Sequence, residues 1–398
     1  MPPEFSLLSQ LDDQLASLAD QQLHRQLREV QTPTAPSLMV DGEALIAFCS
    51  NDYLGLAADP RVIEALREGA LRYGAGSGAS HLISGHSAAH AQLEIQLAAM
   101  QASHLINPRA LFFSTGYMAN LAVLTALAGK EADIFSEALN HASLIDGARL
   151  SRARVTIYTR DDLSALDRLL AGSAATTKLV VTDSVFIMEG AIAPLPELLA
   201  LCERHQALLV VDDAHGFGVL GEQGAGVLQH FGLRSSQLVY IGTLGKAAGV
   251  AGAFVAAHAT VIEWLVQRAR TYIYTTASPP AIAHALLTSL AIISGAEGAM
   301  RRQSLRNHIQ QLRDALQLQR WRLLPSETPI QPVLIGPNQP TLQAGESLRA
   351  QGLWVAAIRP PTVPKASARL RITLSAAHTA AQITQLAGAI NAMERVCV

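Results

Sequence analysis

Residues 207–218, ALLVVDDAHGFG, and residues 240–249, YIGTLGKAAG, decide the fold class that this sequence predicts. Ala207–Val211 is a continuous apolar run rich in Leu and Val, which is typical of a strand covered on both faces in a parallel sheet. A second buried strand is predicted at Leu238–Ile241. Because an open α/β sheet binds its ligands outside the carboxyl ends of its strands, the residues that follow these two strands are predicted to face one crevice.

The residues at these two strand ends are polar. Asp212, Asp213 and His215 end the first strand, and Thr243 and Lys246 follow the second. A buried carboxylate needs a partner, and a lysine in a small apolar pocket can form an imine with a carbonyl. Each residue alone also fits a plain alternative, a capped turn at Asp212 and a surface lysine at Lys246. Together they favour pyridoxal phosphate, which requires an aspartate at its pyridinium nitrogen and a lysine in a Schiff base.

Strand and helix patterns alternate through the middle of the chain. This alternation predicts an α/β fold with a mostly parallel sheet and right-handed crossovers. The strand patterns are Ala132–Phe135, Val155–Tyr158, Lys178–Thr182 and Leu208–Val211, and the helical ones are Leu163–Leu170 and Leu195–His205.

The two ends of the chain have patterns of their own. Residues 8–29 predict an amphipathic helix, and Leu38–Cys49 predicts a hairpin with its turn at Asp41–Gly42. Near the other end, a long helical stretch at Ala281–Gln319 precedes strand-like segments at Ile330–Ile335, Leu353–Ile358 and Arg369–Leu374. We therefore predict an N-terminal helix and β link at 1–50, a large cofactor-binding domain at 51–290 and a small C-terminal α+β domain at 291–398.

Composition limits the function classes. The chain has 398 residues, 49% of them hydrophobic, which is enough for a large core and more than one domain. A net charge of −2 without a run of like charge argues against nucleic acid and anionic membranes as partners. Three cysteines, Cys49, Cys202 and Cys397, lack metal-site spacing and predict reduced thiols, so no metal is expected. The N-terminus lacks signal-peptide features and no apolar run reaches membrane-spanning length, so a cytoplasmic location is expected.

Two glycine-containing stretches invite a phosphate-site interpretation. Gly74, Gly76 and Ala79 imitate a dinucleotide fingerprint, but a helical pattern precedes them where the motif needs a strand, so a nicotinamide site is rejected. In ALFFSTGYMANLAVLTALAG, by contrast, Gly116 and Tyr117 follow a strand and begin a helix, where free backbone N–H groups attract a phosphate. An ordinary strand-to-helix turn remains the alternative there.

Ordered motifs along nearly the whole chain resemble the α-oxoamine synthases, a family of fold-type I pyridoxal phosphate enzymes. They are SNDYLGL (50–56), FFSTGYMAN (112–120), LNHASL (139–144), VVDDAHGFGVLGEQG (210–224), GTLGKAAGVAGAF (242–254), IYTTASPP (273–280), AIRPPTVP (357–364) and ARLRITLSAAH (368–378). The resemblance implies a decarboxylative condensation of L-alanine with a pimeloyl thioester, on coenzyme A or a carrier protein. A sister enzyme that uses glycine or another acyl group is the nearer alternative, and a non-catalytic subunit of the same fold is the farther one.

The resemblance also implies a role for each matching position. Lys246 would bind the cofactor and move protons, Asp212 would pair with the pyridinium nitrogen, and His141 would stack on the ring. The other cofactor contacts would be Gly116, Tyr117, His215 and Thr243, with Thr275 and Thr276 offered by the neighbouring subunit of a homodimer. The substrate contacts would be Arg25, Asn51, His141, Arg359, Thr362 and Arg371.

Three positions depart from the family pattern. Ile187, in FIMEG, replaces a serine that would contact the cofactor, so Ser184 or a water would have to substitute for it. His81 stands where an arginine is usual, and KASARLR (365–371) replaces a glycine–threonine pair before ARLR. These departures remove no residue that the implied chemistry requires.

Overall fold

The structure, a computed structural model, describes residues 6–396, and Cys397 lies outside them. The helices are α1 (Ser6–Asp20), α2 (Pro60–Tyr73), α3 (Ala88–Met100), α4 (Gly116–Leu127), α5 (Ala142–Ser151), α6 (Leu163–Ala171), α7 (Leu195–Arg204), α8 (Val227–Phe231), α9 (Ala259–Arg268), α10 (Arg270–Ile273), α11 (Pro280–Ser294), α12 (Ala296–Ala315), α13 (Asn338–Ala350) and α14 (Ala380–Val396), with a π-helical turn at His81–Gly85. The strands are β1 (Ser37–Val40), β2 (Glu43–Ala47), β3 (Pro108–Phe113), β4 (Ala132–Glu137), β5 (Arg154–Tyr158), β6 (Thr177–Asp183), β7 (Leu208–Asp212), β8 (Leu238–Thr243), β9 (Ala253–His258), β10 (Arg322–Leu323), β11 (Ile330–Gly336), β12 (Leu353–Trp354), β13 (Ala356–Ile358) and β14 (Ala368–Thr373).

The described chain divides into two compact units. The large unit comprises Asn51–Ile187 and Ala191–Leu305, and the small unit comprises residues 6–50, 188–190 and 306–396. The division into domains at residues 50 and 290 stays a prediction.

A seven-stranded sheet forms the centre of the large unit, with the strand order β3-β9-β8-β7-β6-β4-β5. Strands β4 to β8 pair in parallel, whereas β9 is antiparallel to both of its neighbours. The prediction of a mostly parallel α/β sheet is therefore confirmed. In this register Asp183 lies opposite Asp212, and Asp212 lies opposite Ile241, so the carboxyl ends of three strands meet at one edge.

Apolar side chains from this sheet and from helices on one of its faces form a large buried core. Val181, Val210 and Val239 contribute from adjacent strands, and Ala122 and Val123 contribute from α4. Burial on this scale stabilises the sheet by roughly 25 cal/mol for each Å² of apolar surface removed from water. The core thereby fixes the strand ends from which the polar residues project.

Two smaller sheets belong to the small unit, β1-β2-β12 and β10-β11-β14-β13. The hairpin predicted at Leu38–Cys49 is confirmed in the first of these sheets. Strands β1 and β2 pair around a turn in which Asp41 and Gly42 both have positive φ. The predicted strand at Leu353–Ile358 is divided at Val355, because β12 pairs with β2 whereas β13 pairs with β14 in the other sheet.

Two helix predictions are wrong in extent. The helix predicted at residues 8–29 ends at Asp20, because Gln22 adopts a left-handed φ of 58° and the N–H of Leu23 bonds back to the carbonyl of Leu18. The helix predicted at Ala281–Gln319 is broken at Gly295, whose backbone is extended and separates α11 from α12.

Among the described residues, no single helix is both long and apolar enough to cross a membrane. The consecutive helices α11 and α12 reach the required length and apolar content only when taken together, and the pair is bent by 68°. Buried core helices also reach that length and apolar content.

Candidate active site

A cavity of about 210 Å³ opens at the carboxyl ends of β6, β7 and β8 within the large unit. It brings together most of the cofactor contacts that the sequence predicted. The lining residues are Gly116, Tyr117, Asn120, His141, Ser143, Asp183, Val185, Ile187, Asp212, Ala214, His215, Thr243 and Lys246.

Asp212 is held at the end of β7 by hydrogen bonds to both of its carboxylate oxygens. The Asn120 amide donates to Oδ2 at 2.6 Å, and the Ala214 backbone N–H donates to Oδ1 at 3.0 Å. Donation to both oxygens fixes the orientation of the carboxylate, which can accept a further hydrogen bond from a cationic ligand in the cavity. Asn120, on α4, was not predicted from the sequence.

Asn120 also connects Asp212 to His141. Its amide donates to the Ser143 hydroxyl at 2.8 Å, and that hydroxyl lies 2.7 Å from His141 Nδ1. The Ser143 backbone N–H also points at Nδ1, at 3.3 Å, so Nδ1 is an acceptor and the ring proton belongs on Nε2. Although the His141 side chain is exposed at the cavity, the surrounding protein desolvates part of its ring and lowers its pKa, and the Asp212 charge opposes that change only in part, so the imidazole is neutral near pH 7.

A second carboxyl group lies beside Asp212. Asp183 occupies the matching position on β6, and its Oδ2 accepts the His141 backbone N–H at 2.7 Å. Burial raises the pKa of Asp183 well above its usual range, and the neighbouring Asp212 charge raises it further. Since like charges at adjacent strand positions disfavour double ionisation, the protonated form of Asp183 is favoured beside Asp212.

Lys246 lies at the end of a hydrogen-bonded chain of side chains. Its Nζ is 2.9 Å from His215 Nε2, and His215 Nδ1 is 2.5 Å from the Tyr53 hydroxyl. The Tyr53 hydroxyl is in turn 3.3 Å from Asn51 Oδ1. His215 and Tyr53 are both buried, so this chain fixes the direction from which the half-buried Lys246 amine enters the cavity.

Asp213 has a structural role, in contrast to its neighbour. It is fully buried and accepts hydrogen bonds from the Ser184 hydroxyl, the Tyr240 hydroxyl at 2.6 Å and the Val227 N–H at 2.8 Å. Burial raises the pKa of Asp213 to about 7 despite these three donors. The Ser184 hydroxyl is directed at Asp213 and does not line the cavity, whereas Ile187 does.

The N-terminus of α4 forms one wall of the cavity. Thr115 caps the helix by accepting the Met118 N–H, and the first N–H groups of a helix have no partner within it. A Cβ built at Gly116 would meet only Thr243 Oγ1, at 3.9 Å, so this wall is open. Tyr117 is exposed at the cavity, and its hydroxyl donates to Asp146.

Thr275 and Thr276 do not line this cavity. They border a separate, much smaller recess together with His81, and Thr276 forms an isolated bridge with Ser80. The structure therefore does not bring these two threonines to the Lys246 cavity within one chain.

The remaining predicted residues belong to the small unit, apart from Asn51. Arg25 is exposed, and the half-buried Arg359 donates to the Gln22 carbonyl. Burial lowers the pKa of Arg359, and the Arg25 charge lowers it further, which places the two guanidinium groups near each other. The Thr362 N–H bonds to the Arg359 carbonyl at 3.1 Å.

Arg371 is held separately on β14, where it lies opposite Ala356. Its buried Nε finds no acceptor among the described residues. Burial raises the pKa of the Cys49 thiol to about 12, and the Arg371 charge opposes this rise. A guanidinium with an unsatisfied buried N–H is suited to a carboxylate ligand, which accepts in a bidentate fashion.

Comparisons with known proteins agree with this geometry. The sequence profile of the aminotransferase class I and II family matches residues 43–390. The 8-amino-7-oxononanoate synthase of Janthinobacterium sp. (strain Marseille) is 66% identical over 98% of this chain and 99% of its own length. The protein of the same name from Bordetella petrii is 64% identical over 98% of both chains.

Solved structures share the fold. A serine palmitoyltransferase from S. paucimobilis, solved with bound PLP and myriocin, superposes with a TM-score of 0.90 at 29% identity, covering 98% of each chain. The 8-amino-7-oxononanoate synthase of Francisella tularensis superposes with a TM-score of 0.74 at 31% identity, covering 88% of this chain and 97% of its own. The predicted resemblance and fold type are confirmed. The chain belongs to the aminotransferase class I and II family and, within it, to the 8-amino-7-oxononanoate synthases.

Proposed function

We propose that this chain condenses L-alanine with a pimeloyl thioester to give 8-amino-7-oxononanoate, carbon dioxide and the free thiol, as a step of biotin biosynthesis. The observation that carries the proposal is the joint presence of Lys246 and Asp212 in one cavity of a chain 66% identical to an 8-amino-7-oxononanoate synthase. The thiol carrier is coenzyme A or a carrier protein. The relatives do not favour the glycine-using alternative.

The cavity fits pyridoxal 5′-phosphate, the cofactor of this enzyme. Asp212 offers an anionic oxygen, Lys246 offers a primary amine, and the exposed His141 ring offers a flat face. The open N-terminus of α4 at Gly116 suits a phosphate, because its N–H groups and dipole attract anions. When bound, the cofactor supplies an electron sink for the bonds that break at the amino-acid α-carbon.

Lys246 and His215 are proposed to manage the protons. As a free amine, Lys246 Nζ takes the α-proton of L-alanine and later returns a proton to the product carbon. The contact of Nζ with His215 Nε2 at 2.9 Å gives the amine a fixed direction. The line of buried groups from His215 to Tyr53 keeps that imidazole in place during the cycle.

Asp212, Asn120 and Asp183 are proposed to keep one negative charge at one place. Asn120 donates to Asp212, and protonated Asp183 removes the competing charge beside it. Such a preorganised anion holds a proton on a ring nitrogen without reorganisation during the reaction.

The substrate contacts are proposed from the family positions. Asn51 and Arg371 are assigned to the carboxylate of L-alanine, a role that the unpartnered Nε of Arg371 supports. Arg25, Arg359 and Thr362 are assigned to the acyl substrate, and the two adjacent guanidinium groups suit its free carboxylate.

A homodimer is proposed as the active form. Thr275 and Thr276 lie outside the Lys246 cavity of their own chain, which is consistent with contacts made to a second copy. This assignment is tested by mixing Lys246→Ala and Thr275→Ala/Thr276→Ala chains, since a hybrid dimer restores one intact site and regains turnover. Hybrids without any activity would contradict contacts across subunits.

The function is tested by measuring thiol release from pimeloyl-coenzyme A with L-alanine, glycine or L-serine as the amino acid. We expect release with L-alanine, a visible absorption band that changes on adding L-alanine, and 8-amino-7-oxononanoate as the product. A preference for glycine would indicate that the chain is the glycine-using sister enzyme. A protein without any cofactor band would indicate a non-catalytic subunit.

A further inference from the structure

An arginine outside the Lys246 cavity holds a loop at residues 51–57, which lies between β2 and α2 in the large unit. Arg301 of α12 donates from Nη1 to two successive carbonyls of this 51–57 loop, that of Leu54 at 2.7 Å and that of Gly55 at 3.1 Å. We propose that Arg301 is a positioning residue for Lys246 and acts through this loop. The inference rests on the proposed function, in which Lys246 moves the protons of the reaction.

The 51–57 loop is held through both kinds of backbone group. Asp52 accepts the N–H of Leu56 at 2.9 Å and that of Ala57 at 3.2 Å, one on each carboxylate oxygen. Arg301 supplies donors to the carbonyls, and buried carbonyls need such partners. Leu54 and Leu56 are fully buried, so water is not at hand to replace a lost donor. Removal of Arg301 therefore releases the carbonyl side of the loop.

Two side chains connect this loop to the Lys246 amine. Tyr53 is fully buried, and its hydroxyl lies 2.5 Å from His215 Nδ1. On the other side of the ring, His215 Nε2 lies 2.9 Å from Lys246 Nζ. Because Tyr53 directly precedes Leu54 in the chain, a shift of the Leu54 carbonyl moves the ring that holds His215. The direction of the Lys246 amine thus depends on the loop that Arg301 fixes.

The 51–57 loop also packs against the turn that follows Lys246. The Gly249 N–H bonds to the Lys246 carbonyl at 2.8 Å and closes that turn. Gly249 has a φ of 70°, and a Cβ built on it would lie 2.5 Å from the backbone nitrogen of Ala57. The two backbones approach too closely for a side chain to lie between them. A displacement of the loop is therefore transmitted to the Lys246 turn, because close-packed interiors transmit strain.

A second arginine shares the ion pairs of Arg301 but not its contacts to the loop. Arg301 donates to Asp59 at 2.9 Å and to Glu297 at 2.7 Å. Arg61 donates to the same two carboxylates, at 2.8 and 2.7 Å. Within the described part of the chain, the Arg61 side chain donates to no loop carbonyl. Arg61 is therefore a matched control, since its replacement weakens the same ion pairs and leaves the donors to the 51–57 loop in place.

The test is the reactivity of the Lys246 amine towards acetic anhydride in the full-length protein, measured by mass spectrometry of the labelled peptides. The exposed Lys130 is the internal reference in each sample. Labelling of the holoenzyme tests the proposed function alone, because a cofactor bound to Lys246 blocks the amine. Labelling after removal of the cofactor tests the positioning, so failure of the one is distinguishable from failure of the other.

Arg301→Met and Tyr53→Phe should each raise the labelling of Lys246 relative to Lys130, because an amine that is no longer held is more accessible. The expected factor is about 2- to 13-fold, which corresponds to loss of one hydrogen bond of about 0.5–1.5 kcal/mol. The double variant should give less than the product of the two single factors, since both changes act on one line of contacts. Arg61→Met should label as the wild type does.

Arg301→Lys is the second variant, which keeps the test available where Arg301→Met does not fold. It retains the positive charge in the ion-pair network, but an ammonium group lacks the planar fork that reaches carboxylates and carbonyls together. Its labelling of Lys246 should lie between those of the wild type and Tyr53→Phe. The proposal is overturned if Arg301→Lys labels as the wild type does, if Arg61→Met raises the labelling as much as Arg301→Met, or if the double variant gives the full product.

Discussion

Asn120→Ala is the substitution that tests most directly how the candidate site holds its charge. Asn120 is buried on α4, and its amide donates to Asp212 at 2.6 Å and to Ser143 at 2.8 Å. Alanine removes both bonds. Among the described residues Asp212 then keeps only the Ala214 N–H, at 3.0 Å.

The magnitude follows from the charge of the acceptor. A hydrogen bond to a charged group contributes about 1.5–3 kcal/mol, and the bond to the Ser143 hydroxyl contributes about 0.5–1.5 kcal/mol. If the whole energy of the lost hydrogen bond to Asp212 is lost from the stabilisation of the transition state, kcat falls by about 10- to 150-fold, because each 1.36 kcal/mol is a factor of ten in rate. A smaller loss of stability accompanies it, because the variant leaves space in a packed helix.

The assay is steady-state thiol release with saturating L-alanine and pimeloyl-coenzyme A, together with the Kd of the cofactor by absorbance. The Kd of the cofactor separates an effect on the site from a packing effect. Loss of the donor that fixes Asp212 should raise this Kd as well as lower kcat. A packing effect alone would lower the free energy of unfolding and leave the Kd unchanged.

Thr125→Ala is the control on the same helix. The Thr125 hydroxyl bonds to the Leu121 carbonyl within α4 and does not line the cavity. Its replacement should change kcat by less than about 2-fold, in keeping with about 0.5 kcal/mol for a substitution away from such features. The reasoning is refuted if Asn120→Ala retains the wild-type kcat and cofactor Kd.

Three further predictions concern single residues. Lys246→Ala should lose turnover and the visible band on adding cofactor, and any retained turnover would end its assignment as the cofactor lysine. Gly226→Ala should reduce the free energy of unfolding by at least about 3 kcal/mol, because its φ is 97° and the new Cβ lies 2.1 Å from Asp213 Oδ2. Gly42→Ala should reduce the free energy of unfolding by only about 1–2 kcal/mol, because Gly42 has a φ of 82° but no atom within 4 Å of the new Cβ. Equal losses for Gly226→Ala and Gly42→Ala in urea melts would contradict the steric argument. Finally, the pKa of Asp213 is raised from 3.8 to about 7, so the folded state binds more protons and stability falls as pH rises from about 4 to 7. Asp213→Asn should remove this part of the slope, and an unchanged slope in urea melts would contradict it.

The strand ends could be predicted from the sequence because their signal is local. Val210 and Val211 precede Asp212 in a run too apolar for a surface strand, and the structure gives β7 at that place. The same pattern gave β8 before Lys246. Parallel pairing then brings the two ends to one edge, so the cavity followed from two short stretches and a rule of sheet topology.

Asn120 was missed because its surroundings predict an ordinary core helix. In GYMANLAVLTAL it is the one amide side chain, one turn into a mostly apolar helix. That placement was itself a signal, because a buried amide must find partners for its donors. The identity of those partners depends on how α4 lies against β7, which no local pattern specifies.

Other features depended on tertiary structure. The strand β9, AFVAAH, contains small residues without a clear alternation, and it forms because β3 and β8 leave a place between them. The π-helical turn at His81–Gly85 was likewise not predicted, because it depends on Gly85, where a Cβ would lie 2.1 Å from the Ala79 carbonyl oxygen, and the sequence gives no sign of a turn of that kind.

Hydrogen-bond donors, rather than position, decide which of three neighbouring carboxyl groups serves the cavity. Asp183 receives the His141 N–H, whereas Asp213 receives three donors, and burial raises the pKa of both carboxyl groups. Both carboxylate oxygens of Asp213 accept hydrogen bonds from Ser184, Val227 and Tyr240, so neither is directed at a ligand. Asp212 has two donors, one on each oxygen, and still lines the cavity, which leaves a lone pair for a cationic ring nitrogen. Since the donor to Oδ2 is a side chain, Asn120 is the residue through which substitution can alter that charge without changing the backbone.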